Sequence, residues 1–310
     1  MSRFLSVIAS LLSLLGFQDP NRSDHEIVYL NIFADSSYLR TYDLNDVIKI
    51  HRTDLDYIKD YDIWGTKLVF KNGYLDEKYE ILDGIEYRTE LSLWEKEVQL
   101  KKHPINTALA LKRDNSGKNY LGGNCPENFQ IPILKNQFPF QYLGMISNND
   151  ENFNWLPFDL HIIYPQQINH SPIFLDYSNA NAPKVIDEEK IEIYWSDDDF
   201  EISSFISYKQ VYFTTSKLRK GSSELRIGRA GIPEWIQNSP ILYSPVEKTQ
   251  MKFVCQINSE IGIEVNESNI KFSSEYNRKS YESMNFHSSG TLYIFFDAKS
   301  KTACLIKQYT

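Results

Sequence analysis

Two stretches of this chain follow one order of features, and that order constrains the fold more than any single motif. In the first, Leu121-Gly122-Gly123 leads to Pro126-Glu127 and the aromatic Phe129, and the apolar run Phe138 to Ile146 follows. In the second, Ile227-Gly228 leads to Gly231, Pro233-Glu234 and Trp235, and the run Met251 to Ile257 follows. A further apolar run closes each passage: Ile173 to Tyr177 in the first, Thr291 to Asp297 in the second. Gly122 and Gly228 stand 106 positions apart and Ile146 and Ile257 stand 111 apart, a period too long for a solenoid repeat. It predicts two β-rich half-units, about 114–215 and 216–310, each too small to close a core alone. Glycine beside a strand allows a positive φ or a close backbone approach. The prolines after it withhold a ladder donor and force an extended excursion.

Upstream of this core, residues 21–113 read as a β-rich extension. Asn72-Gly73 between Lys67–Phe70 and Tyr74 is the strongest hairpin signal there, and Asp83-Gly84 between Tyr79–Leu82 and Ile85–Arg88 repeats it. Leu91 to Leu100 fits a short helix or a further strand. The aperiodic loop Asp114 to Asn119 suggests the main boundary. Over residues 1–20, serines 2, 6, 10 and 13 with Ala9 form one stripe at helical spacing, opposite Leu5, Ile8, Leu12 and Leu15. This predicts a short amphipathic helix ended by Gly16 and Pro20. The alternative is a signal peptide, which would make the mature protein periplasmic. The fold class expected is α+β and predominantly β, with duplicated half-units, mixed or antiparallel sheets and a short N-terminal helix.

The second passage resembles the YwqG-like family, a bacterial group of β-rich proteins. The resemblance rests on Ile227-Gly228, Gly231-Ile-Pro-Glu-Trp-Ile-Gln237, Met251-Lys-Phe-Val-Cys-Gln-Ile257 and Ser289-Gly-Thr-Leu-Tyr-Ile-Phe-Phe-Asp297. It is clearest over 226–297, fainter over 120–177, and does not extend to 1–105. Arg229 stands where the family's second glycine would be, and the loop Ile241 to Gln250 lacks the cysteine pair of some relatives, so zinc is not implied there. Gly144 stands where the first copy would carry the strand glutamine. The resemblance implies sheets with few helices and brings no catalytic residue. It also implies an association with bacterial toxins, since members of the family often resemble accessory or immunity genes beside them.

Composition narrows the chemistry. With 33 basic against 41 acidic residues the net charge is −8, which repels phosphate backbones and argues against nucleic acid as a partner. The six histidines (His25, His51, His103, His161, His170 and His287) never stand at metal-ligand spacing with one another or with cysteine, so no metal is expected. Three scattered cysteines, Cys125, Cys255 and Cys304, form no disulfide framework and suit a reducing cytoplasm. Cys255 and Cys304 lie in apolar strands and read as core. No Gly-x-Ser-x-Gly elbow and no phosphate-binding loop before a helix is present, so neither an enzyme nor a cofactor is expected.

The most unusual local features are acids interleaved with rings. Asp187-Glu188-Glu189 and Asp197, Asp198, Asp199 with Glu201 flank an alternating strand that carries Tyr194 and Trp195. Asp60, Asp62 and Trp64 repeat the theme. Carboxylates steer a cationic partner and rings supply buried anchors, so these nine residues (Tyr194, Trp195, Asp197, Asp198, Asp199, Glu201, Asp60, Asp62 and Trp64) form the predicted partner surface. The function expected is protein binding: an immunity protein that blocks the active site of a cognate toxin in the cytoplasm. The rival is a small-ligand or enzymatic role in the cleft between the half-units. A third possibility is a membrane-surface role through residues 4–17.

Overall fold

Asn-Gly turn chemistry builds the first hairpin. In the computed structural model, Asn72 (φ 52°) and Gly73 (φ 80°) both take the left-handed conformation that a two-residue hairpin loop needs, joining the strands Gly65–Lys71 and Tyr74–Leu82. The structure describes residues 25–30, 52–53, 65–82, 85–93, 95–97, 108–134, 140–165, 172–191, 204–217, 226–231, 233–236, 242–249, 251–259, 262–286 and 290–309. The predicted N-terminal helix lies outside them.

The first sheet comprises β1 (His25–Leu30), β2 (Arg52–Thr53), β3 (Gly65–Lys71), β4 (Tyr74–Leu82) and β5 (Ile85–Thr89), in the order β2-β1-β3-β4-β5. All of its pairings are antiparallel. Among its described residues, Leu68, Val69, Phe70, Leu75 and Ile81 are the buried apolar side chains; each large one contributes about 1.5–3 kcal/mol by leaving water. The stretch that suits helix or strand equally contains a 3-10 turn, Glu95–Glu97. Glu95 accepts from the Ser92 N–H and Oγ, both at 2.7 Å, and meets the buried Lys78 at 3.4 Å.

The second sheet has eleven strands: β6 (Leu109–Arg113), β7 (Asn119–Leu121), β8 (Gln141–Ile146), β9 (Leu160–Tyr164), β10 (Ile173–Asp176), β11 (Lys184–Ile186), β13 (Val211–Lys217), β14 (Gly228–Ala230), β15 (Lys252–Asn258), β17 (Thr291–Asp297) and β18 (Thr302–Gln308). A separate pair joins β12 (Ile206–Tyr208) to β16 (Val265–Ser268). The short helix α1 (Glu275–Ser280) starts at Ser274, whose Oγ accepts from the Asn277 N–H. β6 precedes the loop at 114, so the larger sheet begins before the boundary that the loop suggests.

The strand order is β11-β10-β18-β17-β15-β14-β6-β13-β7-β8-β9, and its centre has an internal two-fold. The β6–β13 pair is symmetric about Lys112↔Thr214: Leu111 faces Thr215 on one side as Arg113 faces Phe213 on the other. Beyond it, β13 continues into β7, β8 and β9, while β6 continues into β14, β15 and β17. Each half thus places its first strand inside the other half's ladder. Leu121 pairs with Gly144 and Gly144 with Ile162, while Ala230 pairs with Cys255 and Cys255 with Ile294. Both ladders carry a register shift at the same place, Tyr142/Gly144 and Phe253/Cys255, as a bulge with one defined role would.

This register corrects three pairings that sequence order suggests. Gly122 corresponds to Gly231 and not to Gly228; both take left-handed φ, 70° and 76°. Met145, not Gly144, occupies the place of Gln256. β17 corresponds to β9, whereas the apolar run of β10 joins the sheet beyond β18. The reason is that apolar content marks a strand as buried, while only pairing fixes its place.

On one face of the sheet Leu111, Leu121, Ile162, Phe213, Ile294 and Leu305 join the main core. On the other, Phe253, Tyr293, Phe295, Cys304 and Ile306 form a second cluster under Trp235. The sheet curls, for Tyr177 just after β10 donates its hydroxyl to the His161 carbonyl on β9 at 2.6 Å. Among the described residues no helix is long and apolar enough to cross a membrane.

Candidate functional site

The nine residues of the predicted partner surface all lie outside the described residues. The acidic run before them is described. Asp187 follows β11, the outermost strand, and Glu188–Lys190 make a 3-10 turn in which the Lys190 ammonium meets the Asp187 carboxylate at 2.5 Å. The acid-rich segment therefore leaves the large sheet at its edge.

A second group of polar and aromatic side chains lies on the outer face of the first half. Tyr120, Met145 and His161 stand opposite one another across β7, β8 and β9, so their side chains share a face. Tyr142 on that face bridges them: its hydroxyl lies 2.9 Å from the Tyr120 hydroxyl and 2.9 Å from His161 Nδ1. Phe129 covers the chain, its ring centroid 4.8 Å from that of His161 and 6.1 Å from that of Tyr142. Cys125 lies in the same loop.

Burial sets the chemistry here. It lowers the pKa of His161, with Asp159 opposing, and favours neutral imidazole. It raises Tyr142 far above the ordinary phenol value, with the bond to Tyr120 adding to the rise. The Cys125 thiol is also pushed up by burial, as are Cys255 and Cys304. The arrangement is a neutral donor–acceptor chain, suited to binding a polar group. Neither the Cys125 thiol nor the Tyr142 hydroxyl supplies its anion at neutral pH. Among the described residues no group of three or more His, Cys, Asp or Glu side chains could hold a metal ion.

The pH dependence follows from the sign of the His161 shift. The unfolded imidazole binds its proton near pH 6.5, and the folded one only at lower pH. The folded state is therefore favoured above that range and loses stability as pH falls through it. Urea midpoints at pH 7 and pH 5 are expected to diverge more for the native chain than for His161→Asn, because asparagine does not titrate, whereas the lost contacts with Tyr142 and Phe129 lower stability at both pH values.

The equivalent face of the second half is occupied by its own chain. Arg229, Gln256 and Tyr293 take the places of Tyr120, Met145 and His161. The Arg229 guanidinium is buried and meets Glu234 at 2.5 Å. Gln256 Oε1 accepts the Glu234 N–H at 2.7 Å. Tyr293 donates its hydroxyl to the Glu234 carbonyl and accepts from the Ile236 N–H at 3.1 Å. Trp235 stacks on Tyr293 with centroids 4.5 Å apart. Strand side chains thus bind the Pro233–Ile236 backbone as they would a peptide. In the sequence Arg229 stands out only as a departure from glycine; the signal for its burial is Glu234, five residues later.

No protein-family model, no curated protein and no solved structure matches this chain.

Proposed function

We propose that this protein works by binding another protein, as a cytoplasmic immunity protein that blocks the active site of a cognate bacterial toxin. The observation that carries the reading is the position of the acidic run. Asp187–Glu189 stands at the outer strand of an eleven-stranded sheet, and the chain passes directly from it into the stretch that holds Tyr194, Trp195, Asp197, Asp198, Asp199 and Glu201. A rigid sheet edge presents carboxylates to an approaching partner, and the overall charge of −8 steers a cationic one. The resemblance of 226–297 to YwqG-like proteins supports the same role, and three cysteines without a disulfide among them suit a reducing cytoplasm.

The test is protection. The reading expects a toxin gene beside the gene for this protein, and rescue of toxin-expressing cells when the protein is co-produced. Asp197→Lys, Asp198→Lys and Asp199→Lys together are expected to weaken the purified complex by roughly 100-fold and to flatten its salt dependence. Full protection by the triple variant would remove these carboxylates from the interface. No protection by the native chain would overturn the immunity role and leave a small-ligand role at the Tyr120–Tyr142–His161 chain as the better reading.

A further inference from the structure

We propose that β5 pairs edge to edge with β5 of a second copy of this chain, antiparallel and centred on Tyr87, joining two five-stranded sheets into one of ten strands. β5 is the last strand of its sheet, and among the described residues no strand pairs with its outer edge. Its first four residues are exposed, Ile85 at 56% and Tyr87 at 48%. Such an edge is a template for another strand unless something blocks it.

Three features select a second copy as the occupant. The first is charge. In the register that sets Tyr87 against Tyr87 of the second copy, Glu86 faces Arg88 of the second copy and Arg88 faces its Glu86. Both contacts join opposite charges, which stabilises directly opposed strand pairs. Within one sheet Glu86 already meets Lys67 at 2.5 Å and Arg88 meets Glu77 at 3.0 Å, so the new contacts extend a row of alternating sign. A parallel, in-register approach would oppose Glu86 to glutamate and Arg88 to arginine. The charges therefore specify direction as well as register.

The second feature is backbone parity. Leu82 pairs with Ile85 across a two-residue loop, and such a closing pair exchanges backbone hydrogen bonds. Ile85, Tyr87 and Thr89 then turn their N–H and C=O groups toward β4, while Glu86 and Arg88 turn theirs outward. In the proposed register the outward groups of Glu86 meet those of Arg88, so every one finds a partner. The third feature is the central contact. Tyr87 and its copy form a non-hydrogen-bonded pair, the closest approach in an antiparallel ladder and a favourable place for two rings.

Sedimentation of the full-length native protein is the test. It is expected to show a monomer–dimer equilibrium below about 100 μM. Glu86→Arg and Arg88→Glu each place like charges at both symmetric contacts, and each is expected to weaken dimerisation by roughly 30-fold or more. Mixing the two variants restores opposite charges at both contacts, so a heterodimer is expected from two monomeric proteins. That result also shows that both variants fold. A native chain that stays monomeric, a dimer indifferent to Arg88→Glu, or two folded monomeric variants that fail to combine would each overturn the proposal.

Discussion

Replacing Gly228 with alanine is expected to cost about 3 kcal/mol or more of folding stability. Gly228 pairs with Leu111 of β6 on one side and Ile257 of β15 on the other. A Cβ built there would lie 2.0 Å from the Gln256 carbonyl oxygen and 3.1 Å from Leu111 Cδ1. The nearer obstacle is backbone, so relief requires β14 and β15 to move apart in the middle of the sheet. Gly73→Ala makes the contrast. That glycine has φ 80° but nothing within 4 Å of a built Cβ, so only conformational strain opposes the change, about 1 kcal/mol. Urea unfolding of both variants checks the ordering; equal losses would show that β14 and β15 accommodate a side chain.

Glu234→Ala is the second substitution with a large expected effect. Arg229 is 1% exposed and faces the Glu234 carboxylate at 2.5 Å. Burial lowers the pKa of the guanidinium, and the carboxylate opposes that. Removing the carboxylate leaves a buried charge without this counterion, a change that costs about 2 kcal/mol, because the Glu234 side chain is 43% exposed and water screens part of the loss. Replacing both partners by neutral groups removes the desolvation problem with the charge. Arg229→Met combined with Glu234→Gln is therefore expected to recover most of the loss, to within about 1 kcal/mol of the native chain. Thermal unfolding of the single and double variants reads the difference. A double variant as unstable as Glu234→Ala would mean that the loss comes from the Pro233–Ile236 loop itself.

What the sequence reveals here divides along the range of the interaction. The Asn72-Gly73 turn, the pairing of Tyr79–Leu82 with Ile85–Arg88 and the left-handed Gly122 are local, fixed by residues close in the chain, and the structure has each at the expected place. The apolar strands at Met251–Ile257 and Thr291–Asp297 are equally legible, because burial on both faces demands continuous apolar sequence. Cys255 and Cys304 are core, as their strands suggest. The interleaving of β6 and β13 is not legible. It joins Arg113 to Phe213 across a hundred residues, and nothing near either strand names the other. The Tyr120–Tyr142–His161 chain is hidden for the same reason: its spacing comes from three strands crossing at one level, not from a periodic pattern in one segment. Arg229 was visible as an intruder in a glycine position, yet its burial depends on Glu234 arriving through a loop.

The central β6–β13 pair has a consequence for how the molecule comes apart. A tandem of two self-contained lobes can lose one and keep the other. Here each lobe lends its opening strand to its neighbour, so prising either one loose strips the other of a ladder partner on the spot. Damage along this shared seam is expected to be felt on both sides, with the described strands of the large sheet melting as one cooperative unit.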